Sequence, residues 1–295
     1  MATVRIIDVT PRDGLQDAPG YVPVPDKVQL IQGLLGAGVP AIEVTAFVSP
    51  RWSPLIADGE EVLGQLRDHQ GEWIALVPNL KGVQRAIRAG VDAVTLVVSA
   101  SESHNRANLN RSRDETLNLL QDAARLARQQ GLRIRGAVST AFDCPFEGRV
   151  ALSAVLEVVA RYLAMGVDEI ILADTLGTAT PRLIKERVQA IKAVAPEKTV
   201  GLHLHDRRGW GLANVAVAYE YGVQEFEAAL GGLGGCPYAP GAAGNLDLER
   251  LVEFFEAQGV STGIAGDRLV EVRQRVLTVI AQGLPAPETS KKMEG

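Results

Sequence analysis

DKVQLIQGLLGAGVPAIEVTAF, residues 26–47, decides the fold. Its first half places Val28, Ile31, Leu34 and Leu35 at helical spacing and stops at Gly38-Val39. Its second half, AIEVTAF (41–47), reads as a short buried strand. The same junction, a helix closed by glycine and followed by Val or Leu, recurs at Gly90-Val91, Gly131-Leu132, Gly166-Val167 and Gly222-Val223. A glycine there takes the left-handed conformation that ends a helix. Strands are expected at 4–10, 41–47, 73–78, 93–100, 133–140, 169–174, 200–206 and 225–230. Helices are expected at 26–38, 57–68, 80–90, 114–131, 152–166, 181–195, 211–221 and 247–258, with Pro181 in the first turn of its helix.

Eight strand–helix units predict a parallel sheet closed into a (β/α)8 TIM barrel. The rival is an open doubly wound sheet, but no Gly-x-Gly-x-x-Gly turn follows the first strand. A single catalytic domain follows, with the barrel at about 4–260 and a C-terminal helix (near 266–283) and tail at about 261–295.

The chain has 295 residues, 46% hydrophobic and 22% charged, enough for a substantial core. The net charge of −5 and the absence of a basic arm argue against nucleic acid. Cys144 and Cys236 are too few for a disulfide framework. No signal peptide is expected at MATVRIIDVT and no apolar run is long enough for a bilayer, so a cytoplasmic location is the expectation.

In a barrel of this kind, active sites lie at the C-terminal ends of the strands. Polar residues fall there: Arg12, Asp13 and Gln16 after strand 1, Glu43 on strand 2, Asp174 and Thr175 after strand 6, and His203, His205 and Asp206 on strand 7. In VGLHLHD (200–206) the two histidines are spaced i, i+2, so a strand points both imidazoles the same way. That is a metal-binding arrangement, because paired buried imidazoles otherwise lack partners. Glu43 within an apolar strand needs a partner, for which Arg12 is the candidate. Asp174 suits either substrate contact or the capping of its own turn. His104 reads as a loop residue and Cys144 as an inert small one. After strand 8, GGLGGCPYAPGAAGN (231–245) carries Cys236, Asn245 and six glycines between 231 and 244, which suggests a mobile loop able to deliver a thiol. One carboxylate, two imidazoles and a carboxamide oxygen suit Mg²⁺ or Mn²⁺ at least as well as Zn²⁺.

The segments DVTPRDGLQ (8–16), IEVTAFVSPRW (42–52), VPNLKG (77–82), RGAVSTAFDCPFEG (135–148), ADTLGTATP (173–181), HLHD (203–206) and GLGGCPYAPGAAGN (232–245) closely resemble the 3-hydroxy-3-methylglutaryl-CoA lyase family. The cysteine loop separates that family from the related 2-isopropylmalate and homocitrate synthases. The resemblance implies metal-assisted cleavage of an acyl-CoA to acetyl-CoA and acetoacetate. It implies Asp13, His203, His205 and Asn245 as ligands of a divalent metal, Mg²⁺ or Mn²⁺. Arg12 would stabilise the enolate, Glu43 would orient Arg12, and Cys236 would protonate the carbanion. Asp13 and His203 are the candidate bases, and Gln16, Asp174 and Thr175 the further substrate contacts. A lyase for a longer 3-hydroxy-3-carboxymethyl acyl-CoA is the second reading, and a Claisen-type synthase acting on acetyl-CoA and a 2-oxo acid the third. A metal- or CoA-ester-binding barrel without activity is the non-enzymatic reading. Arg207 and Trp210 depart from the family pattern after HLHD and are expected to affect the acyl group accepted. A homodimer is left open.

Overall fold

The computed structural model describes residues 3–66, 71–234 and 244–286. Eight parallel strands close into a barrel. They are β1 (Arg5–Asp8), β2 (Ala41–Ala46), β3 (Glu72–Val77), β4 (Ala93–Ser99), β5 (Arg133–Ser139), β6 (Glu169–Asp174), β7 (Thr199–Leu204) and β8 (Glu225–Ala228). Each pairs with its sequence neighbours, and closure comes from β1 pairing with β8, Arg5 opposite Glu225 and Asp8 opposite Ala228. The fold is the TIM barrel that the helix–glycine–strand rhythm predicts.

The helices are α1 (Val24–Gly36), α2 (Gly59–Gln65), α3 (Leu80–Ala89), α4 (Glu102–Leu109), α5 (Arg113–Gln129), α6 (Leu152–Met165), α7 (Pro181–Val194), α8 (Gly211–Glu220), α9 (Leu248–Ala257) and α10 (Gly266–Ile280). Local chemistry sets their ends. Ser112 and Glu115 form a capping box on α5, and Thr180 caps α7 ahead of Pro181. All five junction glycines take positive φ, from 71° at Gly166 to 94° at Gly38. The main core lies between the sheet and the helix ring. There the Tyr162 hydroxyl donates to the carbonyls of Leu96 and Ala137 at 3.0 Å each, tying α6 to two strands.

Three local features depart from the reading of the sequence. His104 is not in a loop: it lies in α4, 1% exposed, its backbone N–H bonded to the Ser101 cap. A two-residue antiparallel hairpin, Asp143–Cys144 with Gly148–Arg149, sits between β5 and α6. The chain after β1 winds into a π-helical turn, Thr10–Gly14, where an extended run to residue 10 was expected.

The barrel interior is strongly ionic below its mouth. Arg135 is fully buried and pairs with Glu169, Glu225 and Glu227. Arg5 pairs with Glu225 and Glu72, and Arg133 with Glu72 and Glu169. Among the described residues, no helix is long and apolar enough to cross a membrane.

Candidate active site

The π-helical turn sets the site. Gly14 N–H donates to Val9 O at 3.1 Å, the five-residue step of a π turn, and Asp13 N–H shares that acceptor at 2.8 Å. Such turns recur at functional sites because the extra residue re-aims neighbouring side chains. The Thr10 hydroxyl anchors it, donating to Asp8 Oδ2 at 2.7 Å and accepting from Leu230 N–H at 2.8 Å. Asp8 is wholly buried, and burial pushes its carboxyl up to about 7 despite the bonds from Thr10.

The turn aims Arg12 and Asp13 into the barrel mouth. Arg12 Nε donates to Glu43 Oε2 at 2.5 Å, and its Nη1 bonds Asp13 Oδ1. Glu43 is 0% exposed, and the partner expected for it is the one it has. Burial opposes charge on both turn residues, but the ion pairs prevail. Glu43 and Asp13 hold Arg12 above the ordinary arginine value, and Arg12 holds Asp13 well below the carboxylate range.

Asp13, His203 and His205 converge: one potential ligand atom from each lies within 4.8 Å of the others. His203 Nε2 is 3.1 Å from His205 Nε2, and Asp13 Oδ2 lies 3.5 Å from His205 Nε2 and 3.9 Å from His203 Nε2. Asn245 joins them. Its Nδ2 donates to Asp13 Oδ2 at 2.7 Å and to Leu233 O at 2.8 Å. Its Oδ1 is buried with no hydrogen-bond partner among the described residues. An unpaired buried carbonyl beside a carboxylate and two imidazoles fits a hard divalent cation, which accepts oxygen and imidazole ligands together. The donor set therefore fits a divalent metal.

These groups open onto a cavity of about 930 Å³. Arg12, Gln16, Thr175, His203 and His205 line it, as do His104, Trp52 and Lys81. Gln16 Nε2 donates to Asp13 Oδ1 at 3.2 Å, and Thr175 Oγ1 accepts from Thr140 N–H. Asp174 is 1% exposed and its oxygens accept the N–H groups of Thr178 and Ala179, the capping alternative. Burial raises its carboxyl to about 6. Arg207 and Trp210 correct an expectation: both are exposed and neither lines the cavity. The neighbouring Arg208 guanidinium lies over the Trp210 ring instead, 5.3 Å from its centroid. Cys236 lies outside the described residues, so its placement is not described. The described ends of its loop show that part of its glycine content is steric. A Cβ on Gly234, at φ +100°, would come within 2.6 Å of Asn245 Nδ2 and 2.7 Å of Asp13 O.

Two site residues escaped the sequence reading. Glu227 Oε2 bonds His203 Nδ1 at 2.8 Å, and Glu225 and Glu227 in EFEAAL repeat the i, i+2 spacing that had marked the histidines. That spacing was the available signal. His104 lines the cavity with Nδ1 bonded to Ser99 Oγ at 2.7 Å. Burial lowers it to about 4, so it is neutral at neutral pH.

The HMGL-like family model matches residues 3–276. This chain belongs to the HMGL-like family. Together with curated hydroxymethylglutaryl-CoA lyases that match most of its length, the family makes it a lyase. The HMGL-like chain is 41% identical to the mitochondrial hydroxymethylglutaryl-CoA lyase of Bos taurus over 269 residues, 91% of this chain and 83% of that protein. It is 40% identical to the (R)-citramalyl-CoA lyase of Chloroflexus aurantiacus over 97% of this chain and 94% of that one. A solved HMG-CoA lyase from Acinetobacter baumannii, in complex with coenzyme A and 3-methylmalate, superposes with a TM-score of 0.90 at 39% identity, covering 99% of this chain and 95% of that one.

Proposed function

We propose that this HMGL-like enzyme cleaves 3-hydroxy-3-methylglutaryl-CoA to acetyl-CoA and acetoacetate with a divalent metal, Mg²⁺ or Mn²⁺. The observation that carries the reading is the convergence of Asp13, His203 and His205 on one buried point beside Arg12, at the mouth of a cavity large enough for an acyl-CoA arm. Asp13, His203, His205 and Asn245 would hold the metal. Bound there, the cation would supply Lewis acidity that lowers the pKa of the substrate's tertiary hydroxyl.

The chain's own residues account for the rest. Asp13 is the group able to take the hydroxyl proton, because His203 would give its one free nitrogen, Nε2, to the metal. As the C2–C3 bond breaks, its electron pair passes to C2 and the thioester oxygen gains charge. Arg12 stabilises that charge because Glu43 has already fixed its guanidinium, so no reorganisation is needed in the transition state. C2 then takes a proton, and Cys236 is the proposed donor. Gln16 and Thr175 line the cavity wall, where they would contact the substrate.

The test is product analysis with metal-stripped protein. Adding Mg²⁺ or Mn²⁺ should restore acetoacetate formation from 3-hydroxy-3-methylglutaryl-CoA. Full turnover in protein shown to be metal-free would sink the metal reading. Citramalyl-CoA is the second substrate to assay, because the Chloroflexus relative matches nearly the whole chain at comparable identity. Faster pyruvate release from it than acetoacetate release would reassign the substrate and keep the reaction type. A chain-length series tests the longer-acyl alternative in the same way.

A further inference from the structure

Glu227 divides its two oxygens between two buried donors. Oε2 lies 2.8 Å from His203 Nδ1, and Oε1 lies 2.7 Å from Arg135 Nη2. Arg135 is itself held on three sides, by Glu227, by Glu169 at 2.7 Å and by Glu225 at 2.9 Å. None of these residues is more than 8% exposed. An imidazole can present Nε2 as a ligand only if its single proton sits on Nδ1. From these contacts we infer that Arg135 and Glu227 are positioning residues that lock His203 in the Nδ1–H form, with Nε2 facing Asp13 and His205. The barrel's interior ion network thereby extends into the metal centre. This inference rests on the metal reading above.

The chemistry is specific to a carboxylate. Glu227 offers an acceptor to both neighbours, and both neighbours are donors. A glutamine has one acceptor and one donor end. With its oxygen toward His203, its NH₂ faces the Arg135 guanidinium, donor against donor. With its oxygen toward Arg135, its NH₂ faces Nδ1, which must then accept, and the proton moves to Nε2 and blocks it. Either way His203 loses its fixed ligand form. Arg135 contributes by fixing the second oxygen, so that the carboxylate cannot rotate away from the imidazole.

Glu225→Gln is the control. Glu225 lies two residues away on the same strand, is equally buried, and bonds Arg135 and Arg5 rather than His203. The readout is Mn²⁺ affinity of the full chain, measured by electron paramagnetic resonance of free Mn²⁺, with the melting temperature taken alongside. Glu227→Gln should weaken Mn²⁺ binding roughly 10- to 100-fold, the scale of losing a partner behind a metal-bound histidine. Glu225→Gln should lower the melting temperature but keep parent-like affinity. Equal affinity in the parent and Glu227→Gln overturns the inference alone. So does an equal loss of affinity in both variants, which would make the network only structural. A parent that binds no Mn²⁺ overturns the metal reading and this inference together.

Discussion

Arg12 shows what a single side chain must satisfy here. Its Nε and Nη1 serve two different carboxylates, a fork that the point charge of lysine cannot reproduce. Arg12→Lys should therefore lower kcat by about 10²-fold or more, the scale of losing a preorganised charge at a developing anion. Steady-state kinetics with metal in excess would check it, and a parent-like kcat would remove Arg12 from the chemistry. Cys236→Ser should lower kcat by a similar order while acyl-CoA binding holds, because a hydroxyl is a far weaker acid than a thiol. A parent-like turnover would assign the final proton to another group. At this scale the sequence was most legible where a charge stood among apolar neighbours. Glu43 and the His203–His205 pair were visible for that reason. Glu227 has the same spacing as the histidines, but its meaning depends on Arg135, 92 positions earlier on a strand three places round the barrel. His104 was misread because SESHNRAN lacks the apolar periodicity that marks a helix, and its burial comes from packing at the barrel mouth.

Among the elements, the helix–glycine–strand junction was read with most success, since its cause is local. L-residues pay for a left-handed conformation and glycine does not. The junctions differ once folded, however. At Gly90 an added Cβ would meet nothing within 4 Å, whereas at Gly38 it would lie 2.4 Å from Gly263 O in the segment before α10. Gly90→Ala should cost about 1–2 kcal/mol, the left-handed penalty alone. Gly38→Ala should cost more, since the clash adds to that penalty. Urea unfolding of both variants compares them directly, and equal losses would refute the steric contribution. The π-helical turn at Thr10–Gly14 was not legible: it depends on Leu230 N–H reaching Thr10 from 220 residues away.

For the whole molecule, buried carboxyls make stability depend on pH. Burial raises Asp8 to about 7 and Asp174 to about 6, both above the ~3.9 of an unfolded aspartate. Between about pH 4 and 7 the folded state thus binds more protons than the unfolded one. These two groups make stability fall as pH rises through that window, and their penalty is complete above it. Asp8→Asn should shrink the drop in melting temperature between pH 5 and pH 8 relative to the parent, and an unchanged drop would show that Asp8 does not contribute. The sequence by itself determined the alternation of elements, the barrel class, the i, i+2 histidines and the family motifs. All of these follow from local periodicity or short contiguous spacing. Only the tertiary structure decided how Asp174 spends its oxygens, that Arg207 and Trp210 stay outside the cavity, and that an ionic interior reaches His203 through Glu227. Barrel closure brings residues far apart in the chain within hydrogen-bond reach, and no local pattern encodes which of the resulting neighbours will share a buried charge.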